Sequence, residues 1–379
     1  MIKPSEEIKA NRKYHWFEEI FPGEFIEENI IIKPDGNLSV GFYVDGPDPE
    51  SISEDEIIAM EENLEKVLSR LPRGLVVHFQ LQVFVTEQDK QALYETQNGF
   101  LVGTMIRHLM DRPRMNSRLC LYLCFNTRGT KPRTPMSTLW SAFSLWKNPL
   151  QNLDRDKKTV KSLVQTFMTQ FSNVPYLKLR QMQDSDLEQE LIRYRTLDFG
   201  NKHPEEIQVD HTNLTNKYLV GDKYVGFVYM AKSANQVYAT TLNERGVHTF
   251  MGWPLAGALD FPHVVNLAFR IGGEEELKEL DRKRNIRNSF GKNTKEIDVL
   301  VMEDITTFTQ EMRGESKVPV LMSHNVMVWD THPDQLSYNM DLVKSAYIKM
   351  NGSVGMADSY NAGNYFNSFA PGYGLELFN

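Results

Sequence analysis

Cysteine, long apolar runs and surplus positive charge are all scarce in this chain. Of 379 residues only Cys120 and Cys124 are cysteines. Four steps along a strand-like run separate them by about 13 Å, too far for a disulfide, so they read as two small buried apolar residues on one strand face. No apolar stretch exceeds segments such as Leu119 to Phe125, well short of the roughly 18 residues that span a bilayer. The amino terminus, MIKPSEEIKANRKYHWFEEIF, carries charges throughout and lacks the apolar stretch of a secretory signal, so the expected compartment is the cytoplasm. A net charge of -8 argues against a nucleic-acid binder driven by bulk charge, while local basic patches remain compatible with it.

Signatures of catalysis are scarce as well. A phosphate-cradling loop needs glycines that let backbone N–H groups approach the phosphates, followed by lysine and a hydroxyl. Gly291-Lys292 is the nearest approach, but Ile286 stands where the first glycine belongs and Asn293 where Ser or Thr should be. Asp330, His332 and Asp334 alternate as metal ligands can, yet the same residues are explained by a strand end and a helix start. Ser323-His324 lacks both an orienting acid and a nucleophile elbow.

What is present is a well-punctuated globular chain, 41% hydrophobic and 24% charged, long enough for two or three domains. Residues 1–28 form an amino-terminal aromatic segment in which Tyr14, Trp16, Phe17, Ile20 and Phe21 share one helical face before Pro22-Gly23. Residues 29–137 read as a first α/β unit with a trailing loop. Ile30–Ile32 and Leu38–Val44 flank the turn Pro34-Asp35-Gly36-Asn37. Ser53 and Glu56 make a capping box for a helix carrying Ile57, Met60, Leu64, Val67, Leu68 and Leu71 on one face. Leu75–Val85 is a strand with His78, Gln80 and Gln82 interleaved among apolar residues; a helix from about Glu87 to Met110 and a strand from Leu119 to Phe125 follow.

Residues 138–215 read as a helical linker block, with Trp140, Phe143 and Trp146 in an aromatic stripe and helices over about Asp154–Phe171 and Leu177–Tyr194. Residues 216–379 form a second α/β unit into which a helical hairpin is inserted at about 273–316. Val320–Trp329 alternates as a half-buried strand, and Leu336, Met340, Val343, Tyr347 and Met350 make the apolar stripe of a following helix. The expected fold class is therefore α+β: two ferredoxin-like units with mostly antiparallel sheets, joined by helices. The hairpin is acidic at Glu274–Glu276 and basic at Arg282, Lys283, Arg284 and Arg287. Alternating solvated faces account for this pattern; contact with an acidic partner, a neighbouring subunit or DNA is the functional alternative.

Two stretches carry a family resemblance. The order strand, amphipathic helix, short strand and aromatic helix ending in Phe366, Phe369, Pro371 and Gly372 resembles the end of the amino-terminal domain of the TraC/TraG-type conjugative-transfer ATPases of type IV secretion, within the VirB ATPase family. Asp35-Gly36 through Val44-Asp45-Gly46, a charged helix and Leu71-Pro72-Arg73-Gly74 resemble its beginning. The resemblance implies a non-motor domain that docks its ATPase to inner-membrane type IV secretion components at the cytoplasmic face of the bacterial inner membrane. It also implies self-association, with a hexamer as the family arrangement, and a DNA contact at most through local basic residues. ATP and Mg are expected only in a carboxy-terminal domain beyond this chain, not in the chain itself. Candidate partner contacts are Trp16, Phe17, Phe21, Trp140, Trp146, Arg284 and Arg287, with no catalytic or metal residue assigned. The alternatives are a stand-alone scaffold relative, or an enzyme whose site assembles around His263, His324 and Asp330.

Overall fold

The computed structural model describes residues 26–33, 37–46, 53–86, 114–126, 153–201, 204, 209–214, 217–232, 259–289, 296–314, 318–349, 353–356 and 362–374. The predicted helix over 87–110, the loop at 127–137 and the aromatic clusters around Trp16 and Trp140 lie outside these residues. Within them the fold is α+β, with seven helices and twelve strands. The strands are β1 Ile26–Glu27, β2 Ile30–Ile32, β3 Leu38–Asp45, β4 Val76–Thr86, β5 Arg114–Phe125, β6 Lys178–Gln181, β7 His211–Leu214, β8 Lys217–Val220, β9 Lys223–Lys232, β10 His263–Ile271, β11 Val320–Asp330 and β12 Ser353–Met356. The helices are α1 Glu54–Leu68, α2 Leu153–Phe171, α3 Asp184–Thr196, α4 Glu274–Ser289, α5 Glu296–Gly314, α6 Pro333–Lys349 and α7 Ala362–Ser368.

All twelve strands join one antiparallel sheet. Its order is β1-β2-β3-β5-β4-β10-β11-β9-β8-β7, with β6 added on β3 and β12 on β9. The seam between the two predicted units is the pair β4 and β10, which runs in unbroken register from His263 opposite Val83 to Arg270 opposite Val76. The sheet thus passes without interruption from one half of the chain to the other.

The period-two alternation of each strand divides the sheet into two unlike faces. On one, Ile30, Ile32, Leu38, Val40, Phe42, Val77, Phe79, Leu121 and Leu123 are buried under α1 and α2. Phe42 meets Phe167 of α2 with ring centroids 5.8 Å apart. The same face continues across the seam as Leu81, Val83, Val265, Val326 and Val328, where Leu336, Val343 and Tyr347 of α6 cover it. This is the expected stripe of α6, and the Ser53–Glu56 capping box of α1 is formed in full. The opposite face is covered by α3 and by the segment from α7 to Gly374, and it carries Ser39, His78, Gln80, Gln82 and Asn266.

Two local readings change. Lys178–Gln181, expected as the first turn of a helix, is instead an edge strand pairing Asp45–Phe42 of β3, and the helix begins at Asp184. The alternation of Leu177 and Leu179, both packed on the first-half core, suits a strand as well as a helix over so short a run. The exchange satisfies the outer backbone groups of β3. Secondly, β1 precedes the expected hairpin and is joined to β2 through Glu28 and Asn29, both at positive φ, the two-residue turn whose twist matches flanking strands.

Candidate functional site

The polar residues interleaved in β4 define the site. Because His78, Gln80 and Gln82 alternate with Phe79, Leu81 and Val83, burying the apolar set under the helices turns all three to the other face. Register then supplies their neighbours: Gln80 lies between Cys120 of β5 and Asn266 of β10, Gln82 beside Arg118, and His78 beside Tyr122. Gln80, Gln82 and Asn266 are at most 1% exposed. An amide buried to this depth must find partners.

The partners come from α3 and from the chain's last described segment. Glu190 of α3, fully buried, accepts through Oε1 from the Tyr43 hydroxyl at 2.9 Å, Arg118 Nη1 at 3.0 Å and Arg193 Nη1 at 2.6 Å. Its Oε2 accepts from Gln82 Nε2 at 2.9 Å. Gln82 passes the connection to Gln80 Oε1, and Gln80 Nε2 donates both to Asn266 Oδ1 at 3.2 Å and to the Phe369 carbonyl at 2.6 Å. Asn266 Nδ2 donates to the Ser368 carbonyl. Burial, and then the Glu190 charge, push the Tyr43 phenol well up, so it stays a donor.

The segment 366–374, which follows from α7, therefore lies as a strap held by its main-chain carbonyls. Tyr194 of α3 donates its hydroxyl to the Phe366 carbonyl, and the Gly372 carbonyl accepts from Ser39 Oγ at 2.7 Å and from Cys124 Sγ at 3.1 Å. The rings of Phe366 and Tyr194 stack at 4.7 Å, and Phe369 packs on Phe227 at 5.8 Å. Gly372 takes φ +79°, and a Cβ there would meet Ser39 Cβ at 2.7 Å. Glycine is required on both counts. The strap thus starts over the second half of the sheet, crosses the seam and ends over β2, β3, β4 and β5. The donors of Gln80, Asn266, Ser39, Cys124 and Tyr194 grip a peptide backbone, which suits a structural clamp rather than a reacting centre.

Other singled-out residues fall elsewhere. Arg284 pairs with Asp281 at 3.2 Å within α4, while Arg313 of α5 reaches the same Asp281 at 2.8 Å and so ties the helical hairpin together. Of Arg287 only its place in the helical backbone of α4 is described, and Trp16, Phe17, Phe21, Trp140 and Trp146 lie outside the described residues. Ile286 sits within α4, in helix, where a phosphate loop would need a strand-to-helix turn. His263, His324 and Asp330 do not converge. In the β10–β11 register His263 is opposite Val328 and His324 opposite Leu267, a stagger of about 13 Å, and Asp330 lies six residues from His324 along the strand, about 20 Å. His324 Nδ1 is 2.6 Å from the Tyr347 hydroxyl, while His263 Nδ1 donates to the Phe261 carbonyl. Burial holds both imidazoles at about 4. Asp330 caps its own turn by accepting from the His332 N–H at 2.8 Å.

Sequence reasoning placed His78, Gln80 and Gln82 on a strand and Phe366 to Gly372 at the end of the chain's last helix, but did not join them. The alternation itself was the available signal: three polar residues on one face of an otherwise apolar strand require a polar cover. Glu190, Arg118 and Asn266 gave no such sign.

With this geometry the class is that of an α+β clamp domain, a sheet that locks the segment leaving it. Residues 29–97 match the family model described as type IV secretion system ATPase VirB4/TrbE, N-terminal domain. The matched stretch contains the Asp35–Gly46 and Leu71–Gly74 motifs on which the sequence resemblance rested, together with Ser39, Tyr43, His78, Gln80 and Gln82 of the track. The chain matches no curated protein.

Proposed function

We propose that this chain acts as the amino-terminal, non-motor domain of a conjugative type IV secretion ATPase, docking it to inner-membrane secretion components and supporting its oligomer. The match over residues 29–97 carries the reading. In this reading the two halves are ferredoxin-like units whose sheets have merged at the β4–β10 seam, and the domain sits at the cytoplasmic face of the inner membrane. ATP and Mg belong to a motor domain beyond this chain; here neither the sequence around Gly291-Lys292 nor the helical position of Ile286 fits a nucleotide site. The clamp on residues 366–374 supports the same reading, since it would fasten whatever follows Gly374 to the sheet formed by β2, β3, β4 and β5. No described helix is long and apolar enough to cross a membrane.

The test is a donor cell carrying the cognate transfer system, in which the tagged chain is overproduced. The expected outcome is recovery of the chain with inner-membrane secretion components and a fall in transfer frequency, as the surplus domain occupies docking positions. A chain that never co-purifies with those components, and leaves transfer unchanged, overturns the proposal.

A further inference from the structure

The polar track changes character beneath the far end of the strap. Around Ser368 and Phe369 each carbonyl has its donor, but under Tyr373 the Lys33 ammonium has no acceptor. Lys33, at the end of β2, is 2% exposed, and its ammonium has no hydrogen-bond acceptor; it lies 4.1 Å from the centroid of the Tyr373 ring. His78 and Tyr122 are fully buried side by side, ring centroids 5.7 Å apart; the Asn266 amide reaches the His78 ring and Cys120 lies against the Tyr122 hydroxyl, so Lys33 is the group left without a partner of opposite charge. Gly374 rests directly on His78, where a Cβ would come within 2.7 Å of the His78 Cβ. The Lys33 charge reaches His78: together with burial it depresses the imidazole to about 4, while the Asn266 amide acts the other way.

Magnitudes decide what this arrangement means. A buried ammonium without a counter-charge costs several kcal/mol in desolvation, and a desolvated cation–π contact returns about 2 kcal/mol. The end of the strap therefore covers a cation that an anion or water would satisfy better. Gly372, its carbonyl held by Ser39 and Cys124, anchors the strap, so Tyr373 and Gly374 can turn beyond it while Phe366 and Phe369 stay fastened.

We propose that Tyr373 and Gly374 form a lid over an oxyanion site built by Lys33 beside His78, and that a carboxylate or phosphate group opens it by replacing the Tyr373 ring on the ammonium. The site stands apart from the secretion reading, since it rests on these side chains alone.

Hydrogen exchange at the Tyr373 and Gly374 amides of the full chain tests it, with inorganic phosphate, acetate or chloride added at equal ionic strength. At ten times its dissociation constant, an anion that binds only the open form speeds exchange about tenfold. This is the expected result for phosphate or acetate, and which of the two acts identifies the source of the oxyanion; chloride has no effect. Lys33→Met abolishes the response and raises the urea midpoint by removing the unpaired charge. Tyr373→Leu, which removes the competing ring, strengthens the response at lower anion concentration and covers the case in which Lys33→Met fails to fold. No response to either oxyanion, an equal response in Lys33→Met, a lowered midpoint in that variant, or a Tyr373→Leu response no stronger than that of the unaltered chain overturns the proposal.

Discussion

Glu190 is the residue on which the most buried polar groups depend. Two guanidinium groups, one phenol and one amide converge on its two oxygens, and replacing it leaves the buried Arg193 and the half-buried Arg118 without their carboxylate. Removing one partner of such a buried pair typically costs about 3–5 kcal/mol, because the surviving charge is left without compensation. Glu190→Ala is therefore expected to lower stability by about that amount in urea unfolding; a loss under about 1 kcal/mol would mean that water reaches Arg193 as well as the half-buried Arg118. Gly372→Ala acts through the backbone instead. A residue with a Cβ at φ +79°, pressed against Ser39, should cost on the order of 1–3 kcal/mol. The readout that separates the two variants is protection of the Tyr373 amide, which Gly372→Ala lowers while leaving the β4–β10 amides protected.

At the scale of elements, α1 offers the most direct check on local coding. Ser53→Ala removes the side-chain half of its capping box and should cost about 1 kcal/mol in thermal or urea unfolding. Elements like this one were legible because their signal is local: a cap, a stripe, an alternation. The hairpin β2–β3, strands β4, β9, β10 and β11, and helices α1, α2, α4, α5 and α6 all follow from such patterns. Strand β6 did not, since a run with leucines at 177 and 179 fits a helical turn as well as a four-residue strand and the open edge of β3 decides between them. The site was half legible for a related reason. A polar face on β4 can be read from alternation, but the identity of its cover depends on Asn266 and Phe369, 186 and 289 residues from Gln80, and no local pattern encodes pairings at that range.

Over the whole molecule, burial of neutral imidazoles sets the response to acid. His78, His263 and His324 are each held at about 4, chiefly by burial, against an ordinary value of 6.5. The folded chain therefore binds fewer protons than the unfolded chain between these values. The contribution to stability is complete above pH 6.5 and is lost as pH falls toward 4, with a slope of about 1.4 kcal/mol per pH unit for each group while it lasts. Urea midpoints measured at pH 7.5 and 5 should differ accordingly; imidazole resonances titrating near 6.5 in the folded chain would contradict the assignment.

The continuous sheet has one more consequence, for the chain as it is made. The seam strand β4 is synthesised early, yet its neighbour β10 arrives some 186 residues later, as the span from Gln80 to Asn266 shows. At about 5–20 residues per second, that leaves one side of β4 unpaired for roughly ten to forty seconds on the ribosome. Throughout that interval Phe79, Leu81 and Val83 belong to an open strand margin, the kind that recruits other chains. Expression of this domain thus depends on translation rate and on whatever shields the nascent margin, and a slow codon stretch before β10 would lower its yield without altering a single contact of the finished fold.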